Sequence, residues 1–226
     1  LVLISTNGIP QGNGLRSAVV DEILGPEMSF DGRFVAYGNR VNGTNFYSIH
    51  VWDALAGTNY LISGSPAGVA QTNARSYAPV FSADGRYVAF ISDATNLVAN
   101  TVASGPHLYR RDLVANVTEL LDVSQGGAGL LADFVFDPPS LSANGKWVAF
   151  SAGDGDFVTG DVGGFEDVFV RDVSAGTNEL ISIANDTLTS VSADAAALPG
   201  LLSMSADGGR VAFSTSASNK IAGDDN

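Results

Sequence analysis

Short apolar runs separated by turn residues recur along the chain and predict β-hairpins. One block, a polar turn followed by Val, Ala and an aromatic residue, occurs four times, at 28–37, 81–90, 141–150 and 204–213. Each copy has Asp-Gly or Asn-Gly at its centre, which supplies the positive φ that a tight hairpin turn needs. The flanks are rich in Val, Phe, Tyr and Leu, which fit a pleated, half-buried surface. Each copy therefore predicts one antiparallel hairpin.

A second block follows each of the first three copies, at 50–63, 107–122 and 167–182. In this block two apolar runs flank a turn such as Ala-Gly-Thr-Asn, so it predicts two more antiparallel strands. One repeat therefore contributes four strands, and the distance between successive turn pairs is 53, 60 and 63 residues. No stretch shows the apolar period of an amphipathic helix of normal length. Four-stranded units at this interval are typical of β-propeller blades.

The repeat resembles that of the TolB-like, PD40 (WD40-like) β-propeller family. The resemblance lies in Ser-x-Asp-Gly-x-x-Val-Ala-Phe at 82–90, in Asp-Val-Phe-x-x-Asp at 167–172 and in Gly-Thr-Asn-Glu-Leu-Ile-Ser at 176–182. It covers nearly the whole chain and implies an all-β propeller of four-stranded antiparallel blades, commonly about six to eight in that family. It implies little about function, because propellers carry many different activities.

The chain is expected to be a single, partial propeller. Three complete blades are expected at 26–63, 79–124 and 139–183, and an incomplete blade at 201–226. Residues 1–5 match the last strand of a blade and are expected to form an outer strand. Either the chain is a fragment of a larger propeller, or the N-terminal strand completes the fourth blade and closes a small ring. The fragment is favoured, because open sheet edges and bare blade faces invite pairing with more chain.

Composition and charge narrow the classes of partner. The chain has 226 residues, of which 45% are hydrophobic, enough to bury a sizeable core. It has 11 Lys and Arg residues and 24 Asp and Glu residues, which gives a net charge of −13. Such an acidic chain is not expected to bind nucleic acid or an anionic membrane surface. No apolar run is long enough to span a bilayer. It contains no Cys, which excludes disulfides and thiolate chemistry.

An acidic, glycine-rich stretch at 154–167 is the best candidate for a metal site. Its carboxylates are Asp154, Asp156, Asp161, Glu166 and Asp167. Calcium takes about six to eight hard oxygen ligands, and alternating Asp residues in a Gly-rich loop can supply several of them. The stretch lacks the spacing and the closing Glu of an EF-hand, so a solvated acidic loop is the favoured alternative to calcium.

Repeated polar residues elsewhere are expected to be structural. The second block has an Asp just before its turn in each copy: Asp53, Asp112 and Asp172. An Asp at such a position accepts hydrogen bonds from backbone N–H groups. In the first block Asn144 replaces the turn acid of the other copies, which indicates that turn geometry matters more than charge. The two histidines, His50 and His107, do not have the spacing of metal ligands within one element.

No motif in the sequence points to catalysis. A nucleophile elbow, a phosphate-binding loop and a dinucleotide fingerprint followed by a helix are all missing. Repetition without one asymmetric set of residues favours binding over chemistry. The sequence therefore predicts a non-catalytic bacterial propeller, exported to the periplasm or cell surface. Its expected partners are a protein, the remaining propeller blades or a surface polysaccharide. The alternatives are a propeller domain that accompanies a hydrolase or peptidase domain outside this chain, and a structural module of a surface assembly.

Overall fold

The computed structural model describes most of the repeat. The described residues are 26–40, 47–70, 74–99, 102, 104–123, 138–153, 157–159, 166–182 and 197–216. Within these ranges the chain forms fourteen β-strands and no helix. In the same part of the chain there is accordingly no helix of the length and apolarity needed to cross a membrane.

The strands form sheets in the order in which they occur along the chain. Blade 1 contains β1 (Glu27–Met28), β2 (Phe34–Arg40), β3 (Tyr47–Asp53) and β4 (Thr58–Leu61). Blade 2 contains β5 (Ser76–Phe81), β6 (Tyr87–Ser92), β7 (His107–Asp112) and β8 (Val117–Leu120). Blade 3 contains β9 (Ser140–Leu141), β10 (Trp147–Ala152), β11 (Asp167–Asp172) and β12 (Thr177–Leu180). Blade 4 contains β13 (Ala197–Met204) and β14 (Val211–Thr215).

All neighbouring strands are antiparallel, and each pair is joined in simple up-and-down order. In blade 3, for example, Val148 is paired with Leu141 on one side and with Arg171 on the other. The predicted all-β fold of four-stranded antiparallel blades is confirmed. The outer strand expected at 1–5 and the end of the incomplete blade, 217–226, lie outside the described residues, so these two expectations stay predictions.

The hydrophobic core lies between blades rather than within them. We call the face that a blade turns towards the preceding blade its leading face, which in blade 2 comprises Phe81, Val88, Phe90 and Tyr109. We call the opposite face its trailing face, which in blade 1 comprises Ala36, Ile49, Val51 and Ile62. These two faces form one buried cluster, in which the Phe81 ring stacks on Phe34 with 6.2 Å between centroids.

The same contact recurs between blades 2 and 3. The trailing face of blade 2 contributes Ala89, Leu108 and Leu121 to the second cluster. The leading face of blade 3 meets them with Leu141, Val148, Phe150 and Phe169. Blade 2 therefore buries both of its faces, one against blade 1 and the other against blade 3, as expected for a stack of repeats.

Candidate functional site

In blades 1 to 3, two turns lie at the same end of the sheet, because strands joined in up-and-down order reverse direction at each connection. We call this the hairpin-turn end; in blade 4 the described residues include its first turn alone. The first turns join the first two strands of a blade and lie at 29–33, 82–86, 142–146 and 205–210. Its second turns join the last two strands and lie at 54–57, 113–116 and 173–176.

Each first turn is closed by a serine and an Asp or Asn. In blade 1, Ser29 Oγ donates to Asp31 Oδ1 at 2.7 Å, and the same oxygen accepts the Arg33 N–H at 3.0 Å. These two hydrogen bonds lower the pKa of Asp31, the one from Ser29 most strongly. In blade 3, Asn144 Oδ1 accepts the equivalent bonds from Ser142 Oγ at 3.1 Å and from the Lys146 N–H at 3.0 Å. The amide oxygen of Asn144 therefore accepts the same hydrogen bonds as the carboxylate, as the sequence predicted.

Each second turn is capped by the Asp that precedes it. Asp53 Oδ1 accepts the N–H groups of Leu55 and Ala56 at 2.9 and 3.1 Å. Asp112 and Asp172 make the same pair of bonds in blades 2 and 3, to the N–H groups of Val114, Ala115, Ser174 and Ala175. This is the backbone role that the sequence predicted for these three acids.

An ion pair ties the first turn to the second turn in each of the first three blades. Arg33 Nη2 lies 2.7 Å from Asp53 Oδ2, and the pairs in the next two blades are Arg86–Asp112 at 2.7 Å and Lys146–Asp172 at 3.3 Å. The hydrogen bonds from Arg33 are the main reason why the pKa of Asp53 falls to about 2. The sequence alone did not predict this ion pair, although a cation two residues after the turn Asp or Asn in three copies was the available signal.

The same cations also cover the aromatic residue that follows them. Arg33 lies over the Phe34 ring at 4.5 Å, and the corresponding pairs are Arg86 over Tyr87 at 5.0 Å and Lys146 over Trp147 at 4.9 Å. Such cation–π contacts add about 0.5–1 kcal/mol at exposed sites. One side chain thus links two turns and one ring at the hairpin-turn end of each of these blades.

The second-turn tips of blades 1 and 2 present apolar side chains to solvent. Leu55 is 80% exposed and Val114 is 77% exposed, and they occupy equivalent positions in adjacent blades. In blade 3 the equivalent residue is Ser174, which is also exposed. Single exposed apolar side chains are common on protein surfaces, so what sets these two apart is their equivalent position on the turns of adjacent blades.

The predicted calcium ligands are only partly among the described residues. Asp154, Asp156 and Asp161 lie outside them. Glu166 is half-buried, and Asp167 is 1% exposed and accepts a hydrogen bond from Ser182 Oγ. Within the described ranges, no three His, Asp or Glu side chains come together in a group able to hold a metal ion. The calcium site therefore stays a prediction.

A buried polar pair occurs at the start of the third strand of blade 2. His107 Nδ1 lies 2.5 Å from Asp122 Oδ2, and both side chains are inaccessible to solvent. Asp122 Oδ1 also accepts the N–H of Leu108 at 3.1 Å. Burial raises the pKa of Asp122 to about 6, although the contact with His107 opposes that rise.

This pair replaces a simpler contact that the other blades make at the same place. In blades 1 and 3 a serine takes the position of Asp122: Ser63 Oγ accepts the Ile49 N–H at 2.8 Å, and Ser182 Oγ accepts the Val168 N–H at 2.9 Å. His107 therefore has a structural role, as expected from the sequence. Its partner Asp122 was not predicted, because it lies fifteen residues further along the chain.

Comparisons with known proteins bear on the fold. No family model matches this chain, and no curated protein does. Among solved structures, dipeptidyl peptidase 4 of Porphyromonas gingivalis is similar with a TM-score of 0.53 and 14% identity, over 89% of this chain and 30% of that one. A structure from a study of two prolyl endopeptidases has a TM-score of 0.51 and 12% identity, over 85% of this chain and 26% of that one. The chain has a β-propeller fold.

TolB from Acinetobacter baumannii is also among the similar structures. It has a TM-score of 0.48 and 19% identity, over 84% of this chain and 37% of that one. This chain thus spans between 26% and 37% of the length of these three proteins. At such low identity the likeness concerns the fold alone, and it gives no preference among the functions that the sequence predicts.

Proposed function

We propose that this chain is a non-catalytic section of a β-propeller that binds a partner protein through its hairpin-turn end. The observation that carries the proposal is the exposure of Leu55 and Val114, at 80% and 77%, on equivalent turn tips of adjacent blades. Covering apolar surface yields roughly 25 cal/mol per Å² removed from water, so a partner that seats both tips gains binding free energy there.

The hydrogen bonds and ion pairs that order these turns support this role. The N–H groups of the Leu55 turn are bound by Asp53, which the Arg33 guanidinium in turn holds in place at 2.7 Å. A surface that is ordered before binding loses little conformational entropy when a partner docks, which raises affinity. The same construction around Asp112 fixes the Val114 tip in blade 2.

The chemistry of the surface indicates the kind of partner. The second-turn tips of blades 1 and 2 are aliphatic, which suits burial against an apolar patch on a protein. The net charge of −13 favours a partner that has basic residues around an apolar patch, since charge complementarity speeds association. The proposed setting is the periplasm or the cell surface, as expected from the sequence.

Co-purification from extracts of the source organism tests the proposal. Three forms are compared: the natural chain, the double variant Leu55→Ser with Val114→Ser, and the control Ser174→Ala at the equivalent tip of blade 3. We expect mass spectrometry to identify a protein that binds the natural chain and the control and is lost with the double variant. Equal recovery with all three forms, or no specific protein with any of them, would contradict the proposal. Melting temperatures of the three forms show that folding is unchanged.

A further inference from the structure

The contacts between successive blades are built differently, although the blades repeat. We call the contact of blade 1 with blade 2 the first junction, that of blade 2 with blade 3 the second junction, and that of blade 3 with blade 4 the third junction. The apolar clusters of the first and second junctions are similar in size and composition. Apolar contact alone therefore does not distinguish these two junctions, whereas their hydrogen bonds do.

Backbone hydrogen bonds join the first turns at the later junctions. At the second junction the Asp84 N–H donates to Ala143 O at 2.9 Å, and at the third junction the Ala143 N–H donates to Ala206 O at 2.7 Å. At the first junction both turns, 29–33 and 82–86, are described in full, and within them no backbone hydrogen bond joins one turn to the other. The first turns of blades 2 to 4 are thus linked in series, and that of blade 1 is not linked to them.

The turn glycines show the same difference. The glycine of each later turn lies against an aromatic residue of the preceding blade: Gly85 against Phe34, Gly145 against Tyr87, and Gly208 against Trp147. A Cβ added at Gly85 would lie 3.5 Å from the Phe34 ring, which is an ordinary contact distance. One added at Gly145 would lie 2.5 Å from Tyr87 Cδ2, and one added at Gly208 would lie closer still to Trp147. The first junction is therefore the least tightly packed of the three at this end.

Side chains add further hydrogen bonds at the second junction. Arg110, on the trailing face of blade 2, is 8% exposed; its Nη1 donates to the Gly145 carbonyl of blade 3, and its Nη2 donates to Glu119 Oε2 at 2.7 Å. From blade 3, Asn178 Nδ2 donates to the carbonyl of Val123, just after the last strand of blade 2, at 2.8 Å. Hydrogen bonds are directional, so these contacts hold blades 2 and 3 in one relative position.

Blade 1 has two other residues at the positions of the Arg110–Glu119 pair. Val51 takes the place of Arg110 and Tyr60 takes the place of Glu119, because each pair joins the third and fourth strands at the same register. Val51 is completely buried in the cluster of the first junction. The first junction thus has apolar contact where the second has a hydrogen-bonded arginine. Apolar contact is non-directional, so it allows two faces to slide or separate without breaking a specific bond.

We infer that the first junction opens more readily than the second, so that blade 1 moves relative to blades 2 and 3, which stay together. The exposed tips Leu55 and Val114 lie on opposite sides of the first junction, so this motion changes the distance between them. Each tip keeps its order, because the bonds around Asp53 and Asp112 lie within one blade. The inference concerns the motion of blades and stands without the proposed partner protein.

Thiol labelling tests the inference. The chain has no Cys, and the equivalent residues Val88 and Val148 are completely buried in the first and the second junction. In the variants Val88→Cys and Val148→Cys, iodoacetamide reacts only when the thiol becomes exposed. We expect labelling of Val88→Cys to be at least about 10-fold faster, because opening the second junction breaks additional hydrogen bonds. Urea denaturation of each variant gives its free energy of unfolding, so a difference in overall stability can be subtracted.

A substitution at Arg110 identifies the bonds responsible. Arg110→Lys keeps the charge but lacks the planar fork that donates to two acceptors at once. It should speed the labelling of Val148→Cys about 3-fold to 10-fold and leave that of Val88→Cys unchanged. The control is Arg86→Lys, because Lys146 makes the equivalent ion pair in blade 3, and it should change neither rate.

Two results would overturn the inference. One is equal labelling of the two thiols, or faster labelling of Val148→Cys, after the difference in stability has been subtracted. The other is an equal acceleration of both thiols by Arg110→Lys, because both would then become exposed only when the whole chain unfolds. Neither result depends on whether a partner protein binds the hairpin-turn end.

Discussion

At the scale of single residues, the sequence predicts contacts between near neighbours and misses those that depend on register. The Asp and Asn caps were predictable because each binds N–H groups two or three residues away. The Arg33–Asp53 and His107–Asp122 pairs were not, because twenty and fifteen residues separate the partners. Only the pairing of strands brings those side chains together.

The first turn of blade 3 gives a test at this scale. Asn144→Asp should change the free energy of unfolding by less than about 0.5 kcal/mol, because an Asp makes the same bonds in the other turns. Ser142→Ala should cost about 1–3 kcal/mol, because Ser142 Oγ accepts the Trp147 N–H at 3.0 Å and bonds Asn144 as well. Urea denaturation measures both. A larger loss for Asn144→Asp than for Ser142→Ala would show that charge, not geometry, governs the turn.

The buried pair of blade 2 predicts a pH dependence. The folded-state pKa of Asp122 is about 6, above its ordinary value of 3.8, so the folded chain holds this proton more tightly than the unfolded chain. Its stabilising contribution is complete below the ordinary pKa and is lost as pH rises through about 6. Relative to Asp122→Asn, which keeps an oxygen for the Leu108 N–H, the natural chain should therefore lose stability between pH 4 and 6.

Chemical denaturation of both forms at several pH values measures the difference, at most about 3 kcal/mol. Subtracting the stability of the variant from that of the natural chain cancels the contributions of the many other acids. Those acids have lowered pKa values, so they make the chain lose stability as pH falls, which is the opposite dependence. A difference that stays flat across this window, or rises with pH, would contradict the predicted sign.

At the scale of elements, the strands follow from the alternation of Val, Ala and aromatic residues, and the turns follow from Asp-Gly and Asn-Gly. What the sequence does not reveal is how closely a turn approaches the sheet of the preceding blade. Gly145 and Gly32 have similar positive φ, 64° and 73°, and look the same in the sequence. Only in the fold does Gly145 press against the Tyr87 ring, while the space at Gly32 is open among the described atoms.

These two glycines form a matched pair of variants. Gly32→Ala should cost about 1–2 kcal/mol, which is the cost of positive φ for a residue with a Cβ. Gly145→Ala should cost about 1–3 kcal/mol more, because its Cβ would also displace Tyr87, 2.5 Å away. Urea denaturation measures both. Equal costs would mean that the turn of blade 3 does not press on blade 2.

At the scale of the whole molecule, the repeat predicts the architecture but not the partners. The four copies of the first block are enough to predict stacked antiparallel blades, because the same apolar positions recur in each. They cannot predict which faces stay open, because Met28 and Phe81 are both large apolar residues at equivalent positions. Phe81 is buried because blade 1 precedes it and packs against it, a contact that the local sequence does not reveal.

The acidic stretch before β11 allows a test on the intact chain. If calcium binds there, a chelator should lower the melting temperature, and calcium at about 100 times its dissociation constant should add about 2.7 kcal/mol of stability. For a chain of this size that corresponds to about 5–10 °C. Asp161→Ala should abolish the difference, whereas the control Glu179→Gln, on an exposed strand position, should keep it. Identical melting curves with and without chelator would exclude the site.

The approach of Gly208 to Trp147 has a consequence for spectroscopy. The chain has two tryptophans, and the other, Trp52, lies in blade 1. In a Trp52→Phe variant the remaining indole would sense only the junction where the last hairpin seats on blade 3. Its emission would shift to longer wavelength when that hairpin lifts away, before the rest of the stack unfolds. One fluorophore would then separate local opening of the junction between blades 3 and 4 from global melting.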